Sequence, residues 1–119
     1  MLDSIIENKS FEFAIKVINL YKNLRDNGNY VLVNQLLRSG TSIGANVREA
    51  LRGQSTKDFL SKMYIALKES KETEYWILLL IETNYLEEEQ GNEILNECIE
   101  IIKILTSITK TTKNKISVN

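Results

Sequence analysis

The stretch STKDFLSKMYIALKESKETEYWILLLI, residues 55–81, decides the fold, because it opens with a helix cap and then keeps one apolar periodicity. Ser55 and Asp58 have the Ser-x-x-Asp spacing of a capping box, whose side chains satisfy free N–H groups of a first helical turn. Residues spaced by three and four then share one helix face. That face contains Phe59, Met63, Ala66, Ser70, Thr73, Ile77 and Ile81. The sequence therefore predicts a helix over residues 56–83.

Three more helices are predicted around this one. The chain has no proline, so glycine and asparagine mark the helix ends. The predicted ranges are residues 9–26, 30–52 and 87–112, with a break at 27–29, Gly53 after the second helix and a short disordered tail after residue 112. Short links predict one domain over residues 1–119, an all-α, antiparallel, up-and-down four-helix bundle.

The predicted core faces follow from the same periodicity. In the first helix the expected core residues are Phe11, Ala14, Ile15, Ile18, Tyr21 and Leu24. In the second they are Leu32, Leu36, Ile43, Val47 and Ala50. In the fourth they are Ile94, Cys98, Ile101, Ile102, Leu105 and Ile108.

The composition excludes several classes of function. The 119 residues include no histidine and one cysteine, Cys98, which we expect to be a buried core thiol. Catalytic triads, histidine bases, Glu-x-x-His di-iron sites, internal disulfides and cysteine zinc clusters are therefore excluded. We expect a protein that is not an enzyme and has no cofactor, metal or small-molecule substrate.

The distribution of apolar residues bears on location. The N-terminus lacks the basic start and long apolar run of a signal peptide. The longest apolar run, Trp76 to Ile81, has six residues, whereas a membrane span needs roughly 18 to 20. We therefore expect a cytoplasmic protein without a membrane partner.

The same run, residues 76–81, is apolar around the whole helix, although a helix in a small bundle normally has one apolar face. A well-buried central helix in a monomer is one explanation. Contact with another subunit is the other, and we favour it, because a four-helix monomer leaves one side of each helix in water. The candidate interface residues here are Tyr64, Tyr75, Trp76 and Leu79.

Small residues are concentrated in the second predicted helix, in SGTSIGA at positions 39–45. Gly40 and Gly44 are spaced by four and therefore lie on one side of the helix, where another helix can approach closely. Such glycines cost about 1 kcal/mol each relative to alanine, so they need a reason. The alternatives are a tight crossing within the chain, a contact with another subunit, for which both glycines are candidates, and a hinge.

Charge is segregated along the chain. Residues 1–71 carry 11 basic and 7 acidic side chains, for a net charge of +4, and residues 72–102 carry 9 acidic and no basic ones. Residues 103–119 add four lysines. This separation favours ordered contacts between subunits.

Three arginines, Arg38, Arg48 and Arg52, fall on the outer face of the second helix, and Lys57 and Lys62 follow. Guanidinium groups suit phosphate, so these five residues are a candidate nucleic-acid-binding face. A carboxylate on the same face and a pI near 5.6 favour the alternative, a solvated or intersubunit face.

Two segments resemble a known family. QLLRSGTSIGANV, residues 35–47, with Glu49 and Ala50 after it, resembles the second-helix signature of the bacterial four helix bundle protein family, also known as the 23S rRNA-intervening sequence proteins. Many members have Glu-Gly where this chain has Glu49-Ala50. Residues matching the third-helix signature of one subgroup are Ser55, Lys57, Asp58, Phe59, Lys62, 65–69, Glu72, Thr73, Tyr75 and Trp76.

The resemblance implies a bundle that assembles as a ring-shaped homo-oligomer, a homopentamer. Relatives include the accessory variability protein of diversity-generating retroelements, a basic pentamer that binds nucleic acid and a reverse transcriptase. We expect a non-enzymatic interaction or scaffold module, an accessory subunit of an RNA or reverse-transcriptase complex. The alternative is a protein that binds RNA or DNA directly through the basic face. The polar residues Ser42, Asn46, Ser70 and Thr73 are hypothesised to form a semi-buried hydrogen-bond network that fixes helix register.

Overall fold

The computed structural model describes residues 2–25 and 30–118, and these ranges form helices without any strand. The helices are α1 (Leu2–Leu24), α2 (Tyr30–Leu51), α3 (Thr56–Glu82) and α4 (Glu88–Val118). The break predicted at residues 27–29 lies outside the described residues. The molecule is a rod measuring 52 × 21 × 20 Å.

The helices form a four-helix bundle in which each one packs against its neighbours in the sequence, and α4 returns to α1. The α1–α4 pair has the least extensive contact. Because successive helices are antiparallel, α1 and α3 occupy diagonal corners and run in the same direction. The predicted all-α bundle is confirmed.

Both ends of α3 are fixed by local hydrogen bonds. At its start Ser55 accepts a hydrogen bond from the Asp58 backbone N–H at 3.0 Å, as the capping box predicts. At its end Asn84 has φ 65°, and the Tyr85 N–H reaches the Leu80 carbonyl oxygen at 3.0 Å. This left-handed C-cap turns the chain towards α4.

The core of α3 matches the predicted face from Met63 to Ile77. Phe59 and Ile81, at the two ends of that face, are only half-buried, and Leu80 is buried in place of Ile81. In α2 and α4 the predicted faces are also largely correct, with Leu32 and Ile102 half-buried at their edges. The buried apolar core consists of Ile6, Phe13, Val17, Leu20, Leu24, Val33, Leu36, Ile43, Val47, Ala50, Met63, Ala66, Ile77, Leu80, Leu86, Ile94, Cys98, Ile101, Leu105 and Ile108.

The prediction for the first helix was wrong in its start and, apart from Leu24 and the half-buried Tyr21, in its face. The helix begins at Leu2, not near residue 9, and its buried residues are Ile6, Ser10, Phe13, Val17, Leu20 and Leu24. The predicted core residues Phe11, Ile15 and Ile18 are exposed by 53%, 44% and 39%. The helix has two apolar faces, and a periodicity of 3.6 fits both of them. Packing against α2 and α4 selects the other face.

The prediction of a disordered tail after residue 112 was also wrong, since α4 continues to Val118. Buried Thr109 and Thr112 lie near its end and donate hydrogen bonds to carbonyls four residues earlier, at 2.9 and 2.8 Å. Near its start, a β-carbon added at Gly91 would lie 2.5 Å from Ile81 Cγ1. Glycine there allows α4 to begin close against the end of α3.

Candidate interaction surfaces

The guanidinium of Arg38 is turned from α2 towards α3. It donates hydrogen bonds to the Glu69 carboxylate at 3.3 Å and to the Glu72 carboxylate, and a third to the Gln35 side-chain oxygen at 3.2 Å. Glu72 also accepts a hydrogen bond from Trp76 Nε1 at 3.0 Å. Two carboxylates therefore neutralise this arginine and hold it beside α3.

Arg48 is turned the other way, towards α1. Its Nε lies 3.5 Å from a Glu7 carboxylate oxygen, and its guanidinium carbon lies 5.5 Å from the centre of the Phe11 ring, a cation–π distance. In the same region, Lys62 Nζ is 3.7 Å from the Glu49 carboxylate. Acidic side chains from α1, α2 and α3 thus stand beside the basic groups of α2 and α3.

Arg52 and Lys57 are exposed near the link between α2 and α3. The structure therefore does not bring the five predicted basic residues into one patch, because Arg38 faces α3, Arg48 faces α1 and Arg52 lies at the end of the rod. A continuous phosphate-binding face would need these guanidinium groups to converge.

The four predicted polar-network residues are not joined to one another as one network. Ser42 donates to the Arg38 carbonyl at 2.6 Å, and Asn46 donates to the Ser42 carbonyl at 2.8 Å, so both bonds stay within α2. The side-chain bond between helices joins Thr73 to Ser39 at 2.9 Å, and both residues are buried. The sequence did not identify Ser39 as the partner of Thr73. The only sequence signal for this role is that Ser39 lies in the small-residue segment.

Ser70 has a separate role between α3 and α4. Its hydroxyl donates to the Leu67 carbonyl at 2.7 Å, and its own carbonyl accepts from the Cys98 thiol at 3.3 Å. Burial raises the pKa of that thiol to about 12, and the Glu74 carboxylate adds a smaller rise. With this raised pKa, Cys98 is a protonated core thiol at neutral pH. It is therefore weakly reactive, because only the thiolate is strongly nucleophilic.

Gly40 and Gly44, both candidates for a subunit interface, lie against α1 of the same chain. A β-carbon added at Gly40 would be 2.9 Å from Val17 Cγ2, and one added at Gly44 would be 3.3 Å from the Ser10 carbonyl oxygen. These contacts account for both glycines within the chain, and their assignment to an oligomer interface stays a prediction. The small-residue face makes the tight crossing within the chain, which was the alternative explanation.

The outer side of α3 carries an exposed face that we call the tyrosine face, made of Tyr64, Tyr75 and Leu78. These side chains are exposed by 41%, 56% and 43%. Trp76 and Leu79, two other interface candidates, are half-buried, and the Tyr75 and Trp76 rings meet edge to face at 5.2 Å. The all-round apolar run is thus divided between the core and this exposed side.

A second exposed apolar surface lies on α1. The sequence predicted its residues for the core and not for an outer face. We call Phe11, Ile15 and Ile18 the α1 stripe. Beside it, a groove of about 330 Å³ between α1 and α2 is lined by Glu7, Phe11, Ala14, Thr41, Gly44, Ala45 and Arg48. The sequence did signal this surface, since these three residues follow helical spacing two positions away from the true core face.

The seam between α1 and α4 is charged. Lys9 Nζ lies 2.6 Å from the Glu100 carboxylate, and Lys16 pairs with Glu97. The hydrogen bond that Lys16 donates to the Glu97 carboxylate raises the pKa of Lys16. Ion pairs therefore bridge the least extensive helix contact of the bundle.

The described ranges contain neither a membrane-spanning helix nor a cluster of metal-ligating side chains. None of the helices described over residues 2–25 and 30–118 is long and apolar enough to cross a membrane. In the same ranges, no three acidic or cysteine side chains are grouped as metal ligands.

Comparison with known proteins shows the family of the chain and a similar solved structure. The family model for the 23S rRNA-intervening sequence protein matches residues 3–107. The fold is similar to the crystal structure of a protein of unknown function from the S23 ribosomal protein family of Bacteroides thetaiotaomicron VPI-5482. That chain is 52% identical, with a TM-score of 0.89, and the match covers 92% of this chain and 99% of that one. No curated protein matches the sequence.

Proposed function

The chain belongs to the 23S rRNA-intervening sequence protein family, and from this premise we propose that it is a non-enzymatic scaffold subunit that assembles into a ring-shaped homo-oligomer. The homopentamer implied by the family resemblance is the proposed size. The ring serves as an accessory component of an RNA or reverse-transcriptase complex. The proposal includes a cytoplasmic location.

The observation that carries this proposal is the pair of exposed apolar surfaces, the α1 stripe and the tyrosine face. Both lie outside a core that is already complete, with Phe13, Val17 and Ile77 almost fully buried. Large apolar side chains clustered on an exposed face are typical of protein–protein contact sites. The proposal therefore assigns these faces to assembly.

The charge arrangement favours a scaffold over direct nucleic-acid binding. Arg38 and Arg48 each contact carboxylates of a neighbouring helix, so binding to phosphate would have to break these pairs. In this proposal, partner proteins and not this chain bind the RNA.

The test compares wild type with the variant Arg38→Gln/Arg48→Gln/Arg52→Gln by light scattering, with and without a generic structured RNA at low and moderate salt. Glutamine removes charge without adding repulsion to the nearby carboxylates. The matched control is Lys22→Gln/Lys103→Gln/Lys110→Gln, which removes three exposed charges elsewhere. We expect both variants to keep the wild-type oligomer mass and wild type to form no RNA complex.

Direct RNA binding would give a different result. Wild type and the lysine control would then form a heavier complex that weakens with salt, because phosphate contacts release counterions. The arginine variant would lose it. That pattern would replace the scaffold proposal by the nucleic-acid-binding alternative.

A further inference from the structure

We propose that the copies of this chain meet through a heterologous contact, in which the α1 stripe of one copy packs against the tyrosine face of the next. This inference rests on the proposed self-assembly and specifies the surfaces that produce it. A heterologous contact uses two different patches of each copy and generates a ring when the rotation between copies closes.

The two patches lie at the same height along the rod. Lys16 pairs with Glu97, and the adjacent Cys98 donates to the Ser70 carbonyl, so residue 16 of α1 is nearly level with residue 70 of α3. A second route gives the same register. Val17 lies against Gly40, and the preceding residue, Ser39, bonds to Thr73.

With this register, the middle of the α1 stripe and the midpoint between Tyr64 and Tyr75 differ in height by only about 2 Å at the α-helical rise of 1.5 Å per residue. A cyclic assembly whose axis runs along the rods keeps every copy at one height. The two patches that meet must then be level with each other, as these are. Because α1 and α3 occupy diagonal corners, the patches also face away from each other and leave room for two neighbours.

The chemistry of the two surfaces is complementary. On α3, the exposed Lys68 and Lys71 lie between the two tyrosines, and on α1 the exposed Glu12 flanks the stripe at the height of Lys68. Opposite charges that face each other across a contact fix its orientation. The groove beside Phe11 offers an aromatic ring of the next copy a recess.

An isologous contact is the competing arrangement. It would pair the α1 stripe with itself across a two-fold axis and leave the tyrosine face in water. The heterologous contact covers both faces in every copy of a closed ring, so it removes more apolar surface from water.

The two arrangements separate in a mixing experiment with the variants Ile15→Lys and Tyr75→Lys. Each carries one damaged and one intact patch. Alone, each should fall to the 13.7 kDa chain mass in light scattering. Mixed in equal amounts, they should form a 1:1 complex of twice that mass, because the tyrosine face of the first fits the α1 stripe of the second. The remaining patches carry lysine against lysine and cannot extend it.

Val31→Lys is the control, since Val31 is 73% exposed on α2, away from both patches, and this variant should keep the wild-type mass. Helix content by circular dichroism checks each fold, and Phe11→Gln with Tyr64→Gln replaces any variant that unfolds. A variant that assembles like wild type, or a mixture without the 1:1 complex, would overturn the pairing of the α1 stripe with the tyrosine face while leaving self-assembly standing. A monomeric wild type would instead overturn the proposed function itself.

Discussion

Two glycines on one face of α2 form the crossing with α1, and the change in stability on replacing each by alanine can be worked out from the structure. A β-carbon at Gly40 would lie 2.9 and 3.0 Å from the two methyl carbons of Val17, which is fully buried and β-branched. Overpacking of this kind costs about 1–3 kcal/mol, and alanine returns about 1 kcal/mol of helix propensity. We expect Gly40→Ala to lower the free energy of unfolding by about 1 kcal/mol, and by up to about 2 kcal/mol if the crossing cannot relax.

Gly44→Ala is the matched comparison. Its β-carbon would lie 3.3 Å from the Ser10 carbonyl oxygen and 3.4 Å from the Ser10 hydroxyl oxygen, so a small shift suffices. The gain in helix propensity should then leave stability unchanged within about 0.5 kcal/mol. Urea unfolding followed by circular dichroism, at one protein concentration, measures both variants, because self-assembly makes stability depend on concentration.

A double-mutant cycle completes the test, since Val17→Ala removes the methyl groups that Gly40→Ala would meet. The double variant should be less destabilised than the sum of the single ones. If Gly40→Ala left unfolding unchanged and instead reduced the oligomer mass, Gly40 would lie at a subunit interface and the intramolecular crossing would be refuted.

Three other predictions concern single residues. Glu72→Leu removes the acceptor of the Trp76 indole N–H at 3.0 Å and should cost about 1 kcal/mol; the emission of Trp76, the only tryptophan, should shift, and an unshifted spectrum would contradict the contact. Ser39→Ala breaks the buried bond to Thr73 and should lower the free energy of unfolding by about 1 kcal/mol, measured by urea unfolding. Because the folded pKa of Cys98 is raised from 9.0 to about 12, its thiol should resist thiol reagents until the chain unfolds. Its contribution to stability should be complete below pH 9.0 and decline towards pH 12 as the unfolded state ionises first, and fast labelling of the native protein would contradict this.

The sequence was most informative for α3. Ser55 and Asp58 predicted its start, and one apolar periodicity predicted its core through Ile77, because both signals are local to the helix. A glycine within a helix lowers its stability, and the reason for Gly91 is the approach of Ile81 from another helix. This contact depends on packing between helices, and the spacing of residues along the chain carries no information about it.

The failure in α1 has the same origin. Phe11 and Ile15 obey the helical period as well as Phe13 and Val17 do, so periodicity alone could not select the face that packs. The unselected face is the α1 stripe, and an incorrect core assignment therefore coincides with the proposed contact surface. Ser10 was expected near the start of the helix and is instead buried inside it.

Arg38, Arg48 and Arg52 are exposed, as expected of an outer face, but the carboxylates that contact two of them could not be predicted. Arg38 meets Glu69 and Glu72 from α3, and Arg48 meets Glu7 from α1. These carboxylates are distant in sequence and are brought close only by the bundle.

The most direct test of the central claim is the solution mass of the wild-type protein, measured by light scattering over a range of protein concentrations at moderate salt. A fixed multiple of the 13.7 kDa chain mass, fivefold for a homopentamer, is the result predicted for a closed ring. A mass of one chain at every concentration would contradict self-assembly, and a mass that keeps rising with concentration would contradict ring closure.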